Sequence, residues 1–211
     1  MSPPRVAGLV LAAGTSSRLG AGSKLLLPVR GEPLVAGPVK AALAAGLAPV
    51  LVVLGSRAGE VRTAILEAVG GGSGGAPADA LRFLVVDDPS RGQGASLAAG
   101  VDRLAGDPSV AAAAVMLGDE PGLSADAVRV MAGAWRPGGP ALRARYRDRP
   151  GHPVVFGREW FDALSGLEGD EGALRLLEER AGDVREVEIG SDAPADVDTL
   201  ADYRRLVEDA G

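Results

Sequence analysis

The chain has 211 residues, 46% of them hydrophobic and 24% charged, with a net charge of −6 and no cysteine. That length and apolar content predict one medium α/β domain that buries a large core without staples, and the missing thiols exclude disulfides and thiolate metal centres. No uncharged apolar run reaches ~18 residues, and the segment from Met1 to Arg5 is too short and Pro-rich for a signal n-region, so a cytoplasmic protein with no membrane association is expected.

The first apolar run, Val6–Ala12, reads as a buried strand. It breaks into Gly14-Thr15-Ser16-Ser17-Arg18-Leu19-Gly20, with Lys24 four residues beyond Gly20. Glycines let successive N–H groups converge on one anion, the hydroxyls add donors, and the two cations add charge. A polyphosphate fits that set. Two familiar phosphate motifs fail here. Lys24 follows Ser23 and precedes Leu25, which is not the Gly-Lys-Ser/Thr of a P-loop, and the glycine spacing is not G-x-G-x-x-G.

Beyond this loop, strand candidates at Val50–Leu54, Leu81–Val86 and Ala112–Leu117 alternate with helix candidates at Pro33–Ala45, Ala58–Val69, Gly94–Leu104 and Ala125–Ala134. Apolar strands separated by helices predict a mostly parallel sheet covered on both faces, with ligands beyond the strands' carboxyl ends. The Gly70–Ala76 stretch has nothing that packs and reads as a surface loop. Asp87 and Asp88 end the third strand, and a Gly-rich turn through Gly94 leads to Ser96 at a helix start, where free N–H groups are available. The fourth strand ends in Gly118-Asp119-Glu120-Pro121, which aims a carboxylate from the sheet edge toward the first loop. Magnesium takes hard oxygen ligands and borrows others from phosphates, so Asp119 reads as its ligand.

After Pro137 the pattern changes. Ala141–Tyr146 and His152–Phe156 read as extended segments joined by a turn, Val184–Ile189 as a last strand, and the segment after Asp198-Thr199 as a terminal helix. His152 is the only histidine, and beside an apolar strand such a residue reads as structural on its own. The cluster Arg143, Arg145, Arg147 and Arg149 is interrupted by Asp148 and has Tyr146 as its sole aromatic, too little for a nucleic-acid surface.

Together, L-A-A-G-T-S-S-R-L-G with Lys24, G-D-E-P, G-H-P-V-V-F followed by Gly169-Asp170-Glu171-Gly172, and Asp196-Val197-Asp198-Thr199 resemble the MobA-like NTP transferases. The likeness is greatest to the molybdenum cofactor cytidylyltransferases. It runs in the same order from Leu11 to Tyr203, and the Gly-rich turn before Ser96 resembles the family's second nucleotide loop. It implies a Rossmann-like three-layer α/β/α nucleotidyltransferase fold, mostly parallel with an added antiparallel acceptor-side segment. One domain, 1–211, would divide into a nucleotide half, 1–136, and an acceptor half, 137–211.

The implied reaction is in-line displacement at the α-phosphorus of CTP by a terminal phosphate oxygen of molybdopterin cofactor, with pyrophosphate leaving. Arg18, Lys24 and Asp119 are the implied catalytic residues. Leu11, Ala12, Ala13, Gly14, Thr15, Ser16, Ser17, Arg18, Lys24, Gly55, Asp88, Gly94 and Ser96 would hold the nucleotide. His152, Pro153 and Asp170 would hold the acceptor, and Asp119 with Asp198 would hold Mg²⁺. A molybdoenzyme or its chaperone would receive the product.

Several positions depart from the family pattern. Glu120 stands where Gln or Met is common, and its extra charge bears on metal or acceptor preference. Leu200 and Ala201 replace a Pro-Glu pair. Ala13 stands where the L-A-G-G of guanylyl-transferring relatives has its first Gly, which favours CTP over GTP. Two other classes stay open: an NAD(P)H-dependent oxidoreductase of the nicotine-blue reductase type, and a non-catalytic carrier of the pterin cofactor. Against the first, no ribose-binding acid follows a G-x-G-x-x-G turn; against the second, Lys24 is retained.

Overall fold

In the computed structural model, which describes residues 5–14, 23–70, 80–170 and 172–208, a seven-stranded sheet runs through the molecule. Its strands are β1 (Arg5–Ala12), β4 (Val50–Leu54), β5 (Leu81–Val85), β6 (Val110–Leu117), β7 (Ala141–Arg145), β8 (Pro150–Gly157) and β9 (Val184–Glu188). They lie in the order β5-β4-β1-β6-β8-β7-β9. Only β8 runs against its neighbours, pairing antiparallel with both β6 and β7, so the sheet is mostly parallel as expected. Two-residue strands β2 (Pro28–Val29) and β3 (Glu32–Pro33) form a separate hairpin.

Alternation along each strand divides the core in two. In β1, Ala7, Leu9 and Leu11 face one side, while Val10 and Ala12 face the other. Helices α1 (Ala36–Ala44), α2 (Ala58–Gly70) and α4 (Ala125–Ala134) cover the Val10 face. Helices α3 (Gly92–Ala105), α5 (Phe161–Ser165) and α6 (Leu174–Glu179) cover the Leu9 face. Leu9, Leu51, Leu97 and Leu164 are completely or almost completely buried there, and each such side chain contributes about 1.5–3 kcal/mol. The terminal helix α7 (Leu200–Glu208) is amphipathic, and its Tyr203 and Leu206 pack on the Val10-face core.

The expected elements recur with shifted ends. Helix α1 begins at Ala36 rather than Pro33, because Glu32–Pro33 pair with β2 and the Leu34 N–H donates to the Leu27 carbonyl at 2.9 Å. Most of the Gly70–Ala76 stretch lies outside the described residues; Gly70 itself closes α2. Helix α5 has no counterpart in the sequence expectations. Its Phe161 and Leu164 are apolar positions whose burial depends on the sheet beneath them.

Chain order along the sheet decides where a ligand can sit. From β1 the chain moves outward to β4 and β5, then returns to the other side of β1 as β6. The connections therefore diverge beyond the carboxyl ends of β1 and β6, leaving a crevice there. The Gly118 N–H donates to the Leu11 carbonyl at 2.8 Å and holds the two strand ends together at its floor.

Candidate active site

Leu11 to Gly14 leave β1 and Leu117 to Asp119 leave β6 at the same edge, lining a cavity of about 400 Å³. Lys24, at the start of a short 3₁₀ turn spanning Lys24–Leu26, reaches into it. Its ammonium lies 2.6 Å from Asp119 Oδ2 and 3.1 Å from Asp198 Oδ1. The Lys24 side chain is only 12% exposed. Burial disfavours its charge, but the Asp119 charge and the hydrogen bonds to Asp119 and Asp198 outweigh that and hold its pKa above the usual lysine value.

Asp198 reaches the site by way of its neighbour. Val197 is fully buried and its N–H donates to the Asp119 carbonyl at 3.2 Å. In extended chain the residues on either side of a buried one point the other way, which turns Asp196 and Asp198 toward the crevice. Thr199 and Asp202 then form a reciprocal cap at the start of α7: the Thr199 N–H donates to Asp202 Oδ2 at 2.8 Å and the Asp202 N–H to Thr199 Oγ1 at 3.2 Å.

Donor chemistry at Asp119 and Asp198 fits a divalent cation. They are two hard carboxylates with one positive group already between them. Among the described residues no cluster of three or more metal-ligating side chains occurs. An ion here would take its remaining ligands from phosphate and water, as magnesium does at phosphoryl-transfer sites.

The other expected nucleotide residues divide. Ala12, Ala13, Gly14 and Ser96 line the cavity with Lys24, and the Ser96 hydroxyl donates to the Gly92 carbonyl at 3.3 Å. Gly55 lies behind it, where a Cβ would come within 2.4 Å of the Ala13 carbonyl oxygen, so it permits the close approach of two backbones. Asp88 instead accepts from the Ser90 N–H at 3.0 Å and caps the Pro89–Arg91 turn. The Gly94 N–H is engaged by the Gly169 carbonyl at 2.7 Å. Gly92, at φ +94°, allows the 169–170 segment to lie against the start of α3. Thr15, Ser16, Ser17 and Arg18 lie outside the described residues.

A second cavity, of about 410 Å³, shares Leu11, Gln93, Leu117 and Asp170 with the first and continues across β6 to β8. Of the residues expected on the acceptor side, His152 lines it and Asp170 borders both cavities, while Pro153 does not line it. His152 Nδ1 is 2.9 Å from Glu120 Oε1, and Glu120 is only 4% exposed. The buried Tyr146 hydroxyl donates to the His152 carbonyl at 2.5 Å. Its own pKa is raised, first by burial and then by the Glu120 charge.

Asp196 faces the same cluster, with Arg149 Nη2 at 3.6 Å. About half its side-chain surface stays accessible, yet partial burial, then the Glu120 charge and a hydrogen-bonding approach to Glu120, push its carboxyl up to about 6. Glu120 was visible in the sequence only as a departure from a motif. Asp196 carried no signal beyond being an acid two residues before Asp198.

The profile of the MobA-like NTP transferase domain matches residues 8–184. The nicotine blue oxidoreductase of Paenarthrobacter nicotinovorans is 33% identical over 216 residues, covering 97% of each chain. The purine catabolism protein PucB of Bacillus subtilis is 34% identical over 207 residues, covering 96% of each. Among solved structures, Rv0371c of Mycobacterium tuberculosis superimposes with a TM-score of 0.84 at 35% identity, covering 99% of this chain and 100% of that one. A manganese complex of the same mycobacterial protein aligns with a TM-score of 0.81 at 32% identity, over 98% of this chain and 100% of that one. Among the described residues, no helix is long and apolar enough to cross a membrane.

Proposed function

The chain belongs to the MobA-like NTP transferase family, and from that membership we propose that it is a Mg²⁺-dependent cytidylyltransferase moving CMP from CTP to the terminal phosphate of molybdopterin cofactor. The observation that carries this reading is Lys24 held between Asp119 and Asp198, at the mouth of the β1–β6 crevice and next to a second cavity large enough for an acceptor.

Both reactants are anions, so charge neutralisation and alignment dominate over proton transfer. Lys24 supplies a fixed positive charge beside the phosphate-side cavity, and its partial burial strengthens the attraction. Arg18 and the N–H groups of the Gly14–Gly20 loop add donors for the triphosphate. Asp119 and Asp198 would hold the divalent ion, which when bound supplies further neutralisation of phosphate charge. The manganese complex of Rv0371c is consistent with a divalent ion in this fold. The acceptor phosphate is ionised at neutral pH, so no general base is needed. Ala13, in place of the first of two glycines, favours CTP over GTP.

The oxidoreductase reading has one specific support, the full-length similarity to nicotine blue oxidoreductase. It leaves the Lys24–Asp119–Asp198 cluster without a task in hydride transfer.

The deciding experiment measures pyrophosphate release with molybdopterin cofactor and Mg²⁺, using CTP, GTP or ATP, beside NADPH oxidation in a parallel sample. Release with CTP alone is the expected result. NADPH oxidation without any release would overturn the transferase reading in favour of the reductase.

A further inference from the structure

Tyr146 to Arg149 turn the chain from β7 into β8, with the Tyr146 N–H donating to the Arg149 carbonyl at 3.0 Å. Residues 189–199, which lead from β9 to α7, have no helix or strand of their own. Such a segment keeps its course only through the contacts that hold its backbone. The turn supplies them. The Arg147 N–H donates to the Ser191 carbonyl at 3.0 Å, the Ala193 N–H donates to Asp148 Oδ1 at 2.8 Å, and Arg149 Nη2 donates to the Pro194 carbonyl at 2.7 Å.

Two of these contacts depend on side chains that also hold each other. Arg149 Nη1 donates to Asp148 Oδ2 at 3.0 Å, so the guanidinium fork has one arm on Asp148 and the other on the Pro194 carbonyl. Asp148 in turn takes one donor from Arg149 and one from Ala193, and the Ala193 N–H holds its carboxyl below the usual aspartate pKa. The side chains of Arg149 and Asp148 are 44% and 42% exposed, so their mutual attraction adds little stability. What they fix is the direction of two neighbouring backbone groups.

Beyond that grip the chain passes Asp196 and Val197 and reaches Asp198. The Asp198 side chain is 59% exposed, so packing does little to hold it, and its position is inherited from the backbone on either side. We propose that Asp148 and Arg149 are positioning residues for the ion site: by gripping the backbone at Ala193 and Pro194, they set the course of the segment that presents Asp198 beside Asp119. The inference rests on the proposed ion site at those two carboxylates and not on which nucleotide or acceptor is used.

A grip and a bare charge have opposite consequences. Removing the positive charge of Arg149 favours cation binding through the field that remains, whereas releasing the backbone weakens it. The test is Mn²⁺ titration followed by the electron paramagnetic resonance of the free ion, without nucleotide or acceptor, with circular dichroism to check folding. Arg149→Met should weaken Mn²⁺ binding by about threefold to tenfold, at or below the low end of the loss for groups that orient metal ligands directly. Arg149→Lys should show a similar loss, because a lysine keeps the charge but has no fork. Asp148→Ala should weaken binding as well, while Asp148→Asn, which keeps an acceptor for the Ala193 N–H, should stay within about twofold of wild type. Once Asp198→Ala has removed the ligand being positioned, adding Arg149→Met should change the affinity by less than about twofold. Asp148→Ala against Asp148→Asn decides the matter alone if the Arg149 variants do not fold.

Unchanged or tighter Mn²⁺ binding in the folded Arg149→Met and Asp148→Ala variants, an equal loss in the Asp198→Ala background, or a wild-type protein that binds no Mn²⁺ would overturn the proposal. Mn²⁺ binding that depends on the grip, without pyrophosphate release from any NTP, would overturn the transferase reading instead and leave this inference standing.

Discussion

Lys24 and Asp119 are 95 residues apart in the chain and 2.6 Å apart in space, and the same ammonium reaches Asp198 at 3.1 Å. A cation thus already lies between the two carboxylates that would bind a divalent ion. A divalent ion bound by both carboxylates would compete with that ammonium for the same place.

Replacing Lys24 by Met should therefore tighten Mn²⁺ binding in the absence of nucleotide, by roughly threefold to tenfold on the scale of one partly screened charge. Titration followed by the electron paramagnetic resonance of free Mn²⁺ measures this directly. Binding that weakens or stays the same would show that Lys24 does not occupy the ion's place.

Turnover should respond in the opposite sense. Lys24→Ala and Asp119→Ala should each lower pyrophosphate release by roughly 10²–10³-fold, the usual loss for one preorganised electrostatic group, while the proteins stay folded. Chelation of divalent ions should abolish release in the wild type. Undiminished release in both variants would remove these residues from the reaction.

Gly55→Ala tests the close approach behind the nucleotide cavity. The new Cβ would meet the Ala13 carbonyl oxygen at 2.4 Å and Pro89 Cβ at 2.9 Å. Overpacking of this kind costs about 1–3 kcal/mol, which lowers Tm by roughly 2–10 °C in a chain of this size. Because the strain pushes on a cavity-lining backbone, nucleotide affinity should fall as well. A thermal melt within 1 °C of wild type, an order-of-magnitude threshold set by the same scaling, would mean that the backbone yields freely.

His152→Ala should destabilise the protein by about 1–3 kcal/mol, since Glu120 Oε1 would lose its partner in a buried position. Adding Glu120→Gln should recover part of that loss, because a neutral amide is cheaper to bury than an unpaired carboxylate. Chemical denaturation of the two single variants and the double variant closes the cycle. Strictly additive losses would indicate that the two side chains do not interact.

Much of the architecture was legible because it depends on local pattern. Continuous apolar runs ending at Ala12, Leu54 and Leu117 are strands buried on both faces, and amphipathic segments between them form covering helices. Lys24, Asp119 and Asp198 were readable as candidate site residues because each stands in or beside a recognisable segment. Their convergence was not readable. It required β1 and β6 to become neighbours and Val197 to anchor the final segment to the Asp119 backbone.

The same limit separates what was missed. The Gly94 N–H was expected to face a nucleotide, but the Gly169 carbonyl claims it from 75 residues downstream. The Glu120–His152 pair and the approach of Asp196 depend on β8 lying antiparallel beside β6. Periodicity reports which side of its own strand or helix a residue occupies. Which distant residue it meets there is decided only when the sheet order closes the chain on itself, and in this protein that closure builds the cavity across β6 and β8.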